Sequence, residues 1–296
     1  MKFTEPPMRP PQEAHSLLLR ATQGCTYNDC HFCYVSRGYQ FLAVTPEELE
    51  LEAKSQQPFF SPYTSIYLTG ANPFALPTST LKAYISVLRR YFPYFSDLSF
   101  QSRIDDISRK SDAELEELRH LGLSQLYIGT ENGNEDVLKL MNKGHTVEDT
   151  LAQLKRLDAA QIAYTTFYVL GLGGHNAGIK SGKDTASMFN QVHPKRITTT
   201  GMTIFPDAPV ATMVAQGKFV EASEREKMEE LLVFLENLTV DTFYDGIHYL
   251  NPLNYRFSNK DTAKKQAVLE DIREILATHT DSELELMVNR PTMRSL

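Results

Sequence analysis

The sequence predicts an α/β protein: a partial (β/α)6 barrel carrying a helical C-terminal extension. Three observations lead there. Short β-like runs alternate six times with segments of helical period, the signature of repeated βα units and a parallel sheet. Six units are too few for a complete eight-unit barrel, which leaves a partial barrel or an open doubly wound sheet. In Asp97–Arg103 one face carries Leu98, Phe100 and Ser102 and the other Ser99, Gln101 and Arg103. A half-polar strand suits a wall around a solvated cavity better than the middle of an open sheet, which is apolar on both faces.

Taken in order, a proline-rich lead over 1–14 (Pro6, Pro7, Pro10, Pro11) precedes the first strand, His15–Thr22. The later strands are Ser65–Thr69, Asp97–Arg103, Ser124–Glu131, Ile162–Gly171 and Arg196–Phe205. Capping chemistry marks the helix starts between them, where a hydroxyl satisfies orphan N–H groups and an acid three residues on completes the box. Thr45-Pro46-Glu47-Glu48 adds a first-turn proline to that pattern, and Ser111-Asp112-Ala113-Glu114 repeats it. The core barrel is expected over 15–207. Beyond Asp207, Ser223-Glu224-Arg225-Glu226 opens a helix with apolar Met228, Leu231, Leu232 and Leu235, and another runs from about Lys260 to Ala277. With no strand evident between them, 208–296 reads as a helical extension packed on the core.

The 296 residues, 42% of them hydrophobic, suffice to bury a large core in one functional unit. The opening Met1-Lys2-Phe3-Thr4-Glu5-Pro6-Pro7 lacks the apolar run of an export signal, and no stretch is long enough to cross a bilayer. A cytoplasmic protein without membrane association is the expectation. The net charge of −7 and the lack of a dense Lys/Arg block argue against nucleic acid as a partner.

All three cysteines, Cys25, Cys30 and Cys33, fall within nine consecutive residues. Thiols that close cannot form a disulfide framework; they read as metal ligands in a reducing compartment. The stretch Arg20-Ala21-Thr22-Gln23-Gly24-Cys25-Thr26-Tyr27-Asn28-Asp29-Cys30-His31-Phe32-Cys33-Tyr34 spaces them C-x4-C-x2-C directly after the first strand. Three thiolates can hold three irons of a cubane cluster and leave the fourth open to another ligand. The competing reading is structural zinc, of which Cys-x2-Cys is a common half. That reading needs a second paired half, and none of the eight histidines supplies one; His31, between two ligands, reads as a solvated loop residue.

These residues resemble the radical S-adenosylmethionine (radical SAM) superfamily, whose usual motif is C-x3-C-x-aromatic-C at the end of the first strand of a partial, TIM-like (β/α)6 barrel. Phe32 matches the aromatic position, which in the family lies near the adenine. The one extra residue between Cys25 and Cys30 is closest to a little-characterised branch of an Elongator- or coproporphyrinogen-dehydrogenase-like core. The resemblance implies a 4Fe–4S cluster on Cys25, Cys30 and Cys33, and cofactor contacts at successive strand ends. Gly70, in Leu68-Thr69-Gly70-Ala71-Asn72, matches the turn that receives the methionine amino group, though Ala71 and Asn72 depart from it; a glycine needed only for a tight turn is the alternative. Arg103 resembles the arginine that takes a carboxylate, with a salt bridge to Asp105 or Asp106 as the alternative. Glu131 and Gly133, in Gly129-Thr130-Glu131-Asn132-Gly133, match a segment whose acid contacts ribose or methionine; capping the next helix is the alternative, which Asn134-Glu135-Asp136 can already do. Gly171, in Leu170-Gly171-Leu172-Gly173-Gly174, and Phe205, in Met202-Thr203-Ile204-Phe205-Pro206, fall where adenine is approached, while Met202 and Ile204 read as core packing. In a parallel barrel these strand ends ring one mouth.

The resemblance implies reductive cleavage of S-adenosylmethionine to a 5′-deoxyadenosyl radical that abstracts hydrogen from a small or medium substrate, with flavodoxin, ferredoxin or an equivalent as electron donor. No fourth cysteine is present for a conventional auxiliary cluster, and with the first strand near His15 no N-terminal cobalamin domain is expected. Tyr67, Tyr127, Tyr164 and Tyr168 could line the cavity, but strand tyrosines more often pack with a satisfied hydroxyl. His145, His175 and His248 read as solvated loop residues without a catalytic assignment. The alternative from a different class is a non-catalytic iron–sulfur carrier or metal-binding protein, which has no use for adenine or ribose contacts.

Overall fold

The structure, a computed structural model, describes residues 3–60, 64–290 and 293. Residues 1–2 of the expected lead, and 291–292 and 294–296 of the expected extension, lie outside the described residues. The strands are β1 (Leu17–Arg20), β2 (Thr22–Gln23), β3 (Leu42–Ala43), β4 (Ser65–Thr69), β5 (Asp97–Ser102), β6 (Leu123–Glu131), β7 (Ala163–Leu170), β8 (Arg196–Gly201), β9 (Phe243–Asp245) and β10 (Arg256–Ser258). The α-helices are α1 (Pro46–Phe60), α2 (Thr78–Tyr91), α3 (Ile104–Ser108), α4 (Asp112–Leu121), α5 (Glu135–Leu140), α6 (Val147–Ala159), α7 (Gly178–Phe189), α8 (Pro209–Ala215), α9 (Glu224–Asn237), α10 (Thr262–Thr278) and α11 (Asp281–Glu285). This is the expected α/β class: an eight-stranded, mainly parallel sheet ordered β1-β4-β5-β6-β7-β8-β9-β10, beside a two-stranded β2–β3 ribbon. No helix among the described residues is long and apolar enough to cross a membrane.

Helix starts follow the capping chemistry in the sequence. Thr45 N–H donates to Glu48 Oε2 (2.8 Å) while Glu48 N–H donates to Thr45 Oγ1 (3.2 Å). Ser111 with Glu114, and Ser223 with Glu226, form the same reciprocal box at α4 and α9. Such caps contribute about 1 kcal/mol each by satisfying N–H groups that have no intrahelical partner.

The chain divides into two compact units. The first comprises the described residues of Met1–Asn28, Val35–Gly129 and Lys155–Tyr164. Its strands β1, β4, β5 and β6 pair in parallel, with Leu17 opposite Ile66, Ile66 opposite Leu98 and Phe100 opposite Leu126. Leu17, Leu19, Leu68 and Phe100 on the strands and Leu81, Tyr84 and Leu88 on α2 are fully buried; each large apolar side chain so buried contributes roughly 1.5–3 kcal/mol. On the polar face of β5 Ser99 is buried and Gln101 half-buried: Ser99 donates to Glu13 Oε1 (2.7 Å), and Tyr67 donates to Gln101 Oε1 (3.1 Å).

The second unit comprises the described residues of Asp29–Tyr34, Thr130–Leu154 and Thr165–Leu296. In it β7, β8 and β9 pair in parallel, and β10 closes on β9 antiparallel. Helices α7 and α9 pack closely because Gly178 and Gly182 present no side chain: a Cβ at Gly182 would lie 2.7 Å from Glu230 O. Beyond Asp207 the chain is not wholly helical, since β9 and β10 extend the sheet there. Each is three residues long, too short to show a period of two in sequence, and β9 forms by pairing along the open edge of β8.

Candidate functional site

The first half of the cysteine loop is pinned within the first unit. Gly24 adopts φ 68° and passes so close to Gln40 that a Cβ would sit 2.6 Å from its carbonyl oxygen. Buried Glu5 accepts from Gly24 N–H (2.6 Å) through Oε2 and from the Ser36 hydroxyl (2.7 Å) through Oε1. Asn72, fully buried after β4, accepts from Thr26 N–H (3.1 Å) and donates to Thr26 Oγ1 (2.6 Å). The next residue, Tyr27, lies under the Arg103 guanidinium, 4.0 Å from ring centroid to Cζ.

The second half is pinned within the second unit. Cys33 N–H donates to Cys30 O (3.3 Å), placing these two cysteines on one turn. His31 is half-buried; its backbone N–H donates to Met141 O (2.8 Å) and its Nδ1 lies 2.8 Å from Leu140 O. Phe32 and Tyr34 pack against an apolar cluster that includes Val137, Met141, Val169, Leu172 and Met202. The Tyr34 ring also stacks on Phe205, with centroids 4.2 Å apart. Cys30 is buried, Cys25 and Cys33 are half-buried, and none forms a disulfide. No group of three or more His, Cys, Asp or Glu side chains among the described residues is already gathered to hold a metal ion. The fit to an iron–sulfur cluster therefore rests on donor chemistry: three soft thiol ligands within nine residues.

The matching strand-end residues have distinct surroundings. Gly70 follows β4 with φ 147°, and a Cβ there would collide with Thr22 Oγ1 and lie 2.8 Å from Thr22 O, so a close approach requires glycine. Arg103 follows β5 and is buried; its Nη2 donates to Asp105 Oδ2 (2.8 Å), so the salt-bridge alternative is realised, with the guanidinium also on Tyr27. Its backbone N–H donates to Asp106 Oδ2 (2.7 Å), and Asn72 Nδ2 lies 3.1 Å from both Asp106 oxygens. Burial raises the Asp106 pKa, against the hydrogen bonds from Arg103 and Asn72.

Glu131 ends β6 with φ 66°, a left-handed conformation costing a non-glycine residue about 1–3 kcal/mol and concentrated at functional positions. Its Oε1 accepts from Lys143 Nζ at 3.0 Å, and that ammonium is 5.8 Å from the Phe32 ring centroid. Capping of α5 is done by Asn134, whose Oδ1 accepts from Asp136 and Val137 N–H (both 3.1 Å), leaving Glu131 outside that role. Lys143 and Asn72 are the site residues that the sequence reading missed. Lys143 lies twelve positions from its partner and carries no local signal, whereas Asn72 stood in a recognised turn and was set aside as a departure.

Gly171 follows β7 with φ 78°, and the approach it permits is that of Lys227, whose Cγ would be 2.8 Å from a Cβ. Gly171 N–H donates to Glu230 Oε2 (2.8 Å). Burial pushes the Glu230 carboxyl up to about 7, although Tyr168 and Gly171 donate hydrogen bonds to it. Met202 is buried and Ile204 packs beside it in the apolar cluster, the core role read from sequence. The strand tyrosines are buried: Tyr164 bonds Asp158 (2.9 Å) and Tyr67 meets Tyr127 edge-on at 5.8 Å. Of the loop histidines, His145 is buried, contrary to the solvated reading. His175 remains largely exposed, 2.9 Å from Glu226 Oε1, and His248 is half-buried and stacks on Tyr249 at 4.6 Å.

The family model of the Radical SAM superfamily matches residues 19–179. The oxygen-independent coproporphyrinogen III oxidase of Salmonella typhimurium is 21% identical over 264 residues, covering 86% of this chain and 56% of the relative. The heme chaperone HemW of Bacillus subtilis is 25% identical over 138 residues, 43% of this chain and 35% of the relative. The chain thus spans about half the length, or less, of these curated relatives. Among solved structures, the coproporphyrinogen III oxidase HemN of Escherichia coli superposes with a TM-score of 0.60 at 19% identity, covering 83% of this chain and 56% of that one. Elp3 of Methanocaldococcus infernus superposes with a TM-score of 0.54 at 14% identity, covering 88% and 63%. At these identities the structural likeness is one of fold.

Proposed function

Because the chain belongs to the Radical SAM superfamily, an enzyme family whose cofactors are a 4Fe–4S cluster and S-adenosylmethionine, we propose that it is a single-cluster enzyme acting by hydrogen abstraction on a small or medium substrate. Bound there, the cluster and S-adenosylmethionine would supply radical chemistry by reductive cleavage of the latter. The chain's own residues bind, orient and shield. Cys25, Cys30 and Cys33 would hold the cluster through their thiolates. The Gly70 turn offers backbone groups to the amino group, and Arg103 offers a guanidinium to a carboxylate. Glu131 takes the ribose or methionine portion, and Phe32, the Gly171 turn and Phe205 border the adenine. Phe32 and Tyr34, packed into the apolar cluster, keep water from the loop that carries Cys30 and Cys33. A reductant is required, and flavodoxin or ferredoxin is the donor expected.

The observation that carries this reading is the cysteine loop, with three free cysteines spaced C-x4-C-x2-C and its backbone hydrogen-bonded at Thr26, His31 and Cys33. The test is anaerobic reconstitution with iron and sulfide, reduction, addition of S-adenosylmethionine and chromatography of 5′-deoxyadenosine, beside a Cys30→Ala control. Cysteine-dependent 5′-deoxyadenosine is expected. A cluster that forms yet neither binds nor cleaves S-adenosylmethionine under several reductants would replace the enzyme with a cluster carrier; zinc without iron would remove both.

A further inference from the structure

The turn that ends α5, residues 140–143, is built onto the second half of the cysteine loop. Leu140 O meets His31 Nδ1 and Met141 O accepts from His31 N–H, both at 2.8 Å. Asn142 reaches the residue before Cys30: its Nδ2 donates to the Asp29 backbone oxygen (3.0 Å) and to Asp29 Oδ2 (2.7 Å). It does so from a left-handed backbone, φ 46°, and Gly144 follows at φ 83°. This double bend turns Lys143 away from solvent, so that its ammonium meets Glu131 Oε1 at 3.0 Å and stands 5.8 Å from the centroid of Phe32, the residue between His31 and Cys33. The two charged side chains are only 7% and 12% exposed.

Desolvating both charges costs several kcal/mol per ion and is offset only by close pairing with further hydrogen bonds. Glu131 also carries the strain of its left-handed backbone. Such a pair is an inefficient way to stabilise a fold, since apolar residues of equal volume do as well or better. It is an efficient way to fix the direction of a carboxylate and to set a cation beside a loop that must carry negative charge. We propose that the Leu140–Lys143 turn is the positioning element of the cluster loop, and that Lys143 is the positioning residue tying that loop to Glu131. The proposal rests on reading Cys25, Cys30 and Cys33 as the cluster ligands. Asn142 holds Asp29, which lies in the longer of the two cysteine spacings, where this chain has one residue more than the usual motif. Lys143 orients Glu131 for the cofactor and, as a fixed positive charge near the loop, favours the reduced, more negative cluster.

The test uses the reconstituted full chain and reads iron content, the midpoint potential of the cluster, and S-adenosylmethionine affinity by equilibrium dialysis. Lys143→Met is expected to keep its iron, to shift the midpoint potential to a more negative value, and to weaken S-adenosylmethionine binding roughly tenfold or more, the usual size of outer-shell effects. Lys143→Arg, which keeps the charge, is expected to restore the potential and much of the affinity. Asn142→Ala is expected to lose iron on gel filtration while the cluster that remains keeps its wild-type potential. If Lys143→Met does not accumulate as folded protein, Glu131→Gln decides by sign: removing the opposite charge is expected to move the potential to a more positive value. An unchanged potential and affinity in iron-replete Lys143→Met, or a shift of the same sign in both variants, would overturn the proposal. Full cluster formation in Cys30→Ala would instead overturn the ligand reading beneath it.

Discussion

The Asn72 carboxamide holds Thr26 at both ends, accepting from its backbone N–H at 3.1 Å and donating to its hydroxyl at 2.6 Å. The same Nδ2 lies 3.1 Å from both oxygens of Asp106, whose Oδ2 accepts from Arg103 N–H. One buried side chain thus ties the residue after Cys25 to the start of α3, and through Asp106 to the backbone of Arg103. Asn72 is one of the two residues at which this turn departs from the family pattern. A carboxylate there could not donate to Asp106, so an amide is the side chain that satisfies Asp106 and the Thr26 backbone together.

Asn72→Ala is expected to destabilise the protein by about 2–4 kcal/mol, since it leaves Thr26 N–H and the buried Asp106 carboxylate short of partners. Asn72→Asp should be worse despite its shape, because it sets a second carboxylate against Asp106 in a desolvated site. Thermal melts of the apoprotein, with iron retained after gel filtration, check this; the expected order in both is wild type, then Ala, then Asp.

At Gly70 the need for glycine comes from β2. Gly70→Ala is expected to cost about 1–3 kcal/mol, because the new methyl meets Thr22 Oγ1 at a φ of 147° that side chains disfavour. Adding Thr22→Ala should recover only part of the loss, since the Thr22 carbonyl oxygen, 2.8 Å from the Cβ position, does not move away with the side chain. A double-mutant cycle of unfolding free energies measures the coupling, and additive losses would count against the contact.

The six main strands were legible because each is long enough to show its pattern, and several helix starts because capping chemistry marks them, as at Thr45, Ser111 and Ser223. Strands β9 and β10 were not, because three residues carry no period and their existence depends on a neighbouring edge. The same distinction runs through the site. Cys25, Cys30, Cys33 and Phe32 announce themselves by local spacing. Lys143 does not, because its partner, Glu131, lies on another element, β6, twelve positions away. His145 was misread for a related reason, since polarity in a loop says nothing about whether the ring is buried.

Gly171 separates two reasons for being glycine. If its role is to let Lys227 lie across the strand end, Gly171→Ala should lower stability by about 1–3 kcal/mol, because the Lys227 stem is fixed at its far end by Glu224 (2.9 Å) and cannot swing aside. If its role is adenine approach alone, stability should be unchanged and only S-adenosylmethionine affinity should fall. Chemical denaturation of the apoprotein distinguishes the two, and the packing around Lys227 predicts the first.

Glu230 makes stability depend on pH in a direction opposite to that of an ordinary paired carboxylate. Burial disfavours the charge and pushes its folded-state pKa up to about 7, against 4.5 for the solvated group of the unfolded chain. Between those values the folded state retains a proton that the unfolded chain has released, so stability falls as pH rises through the window and levels off above about 7. The full effect is roughly 3 kcal/mol by the usual conversion of a pKa difference. Glu230→Gln keeps the size of the side chain and removes the titration. The difference between wild-type and variant unfolding free energies should therefore slope downward from pH 5 to about 7, with wild type losing ground, and should be flat from about 7 to 9. A slope of the opposite sign would mean that the hydrogen bonds from Tyr168 and Gly171 outweigh burial and hold Glu230 ionised in the folded protein.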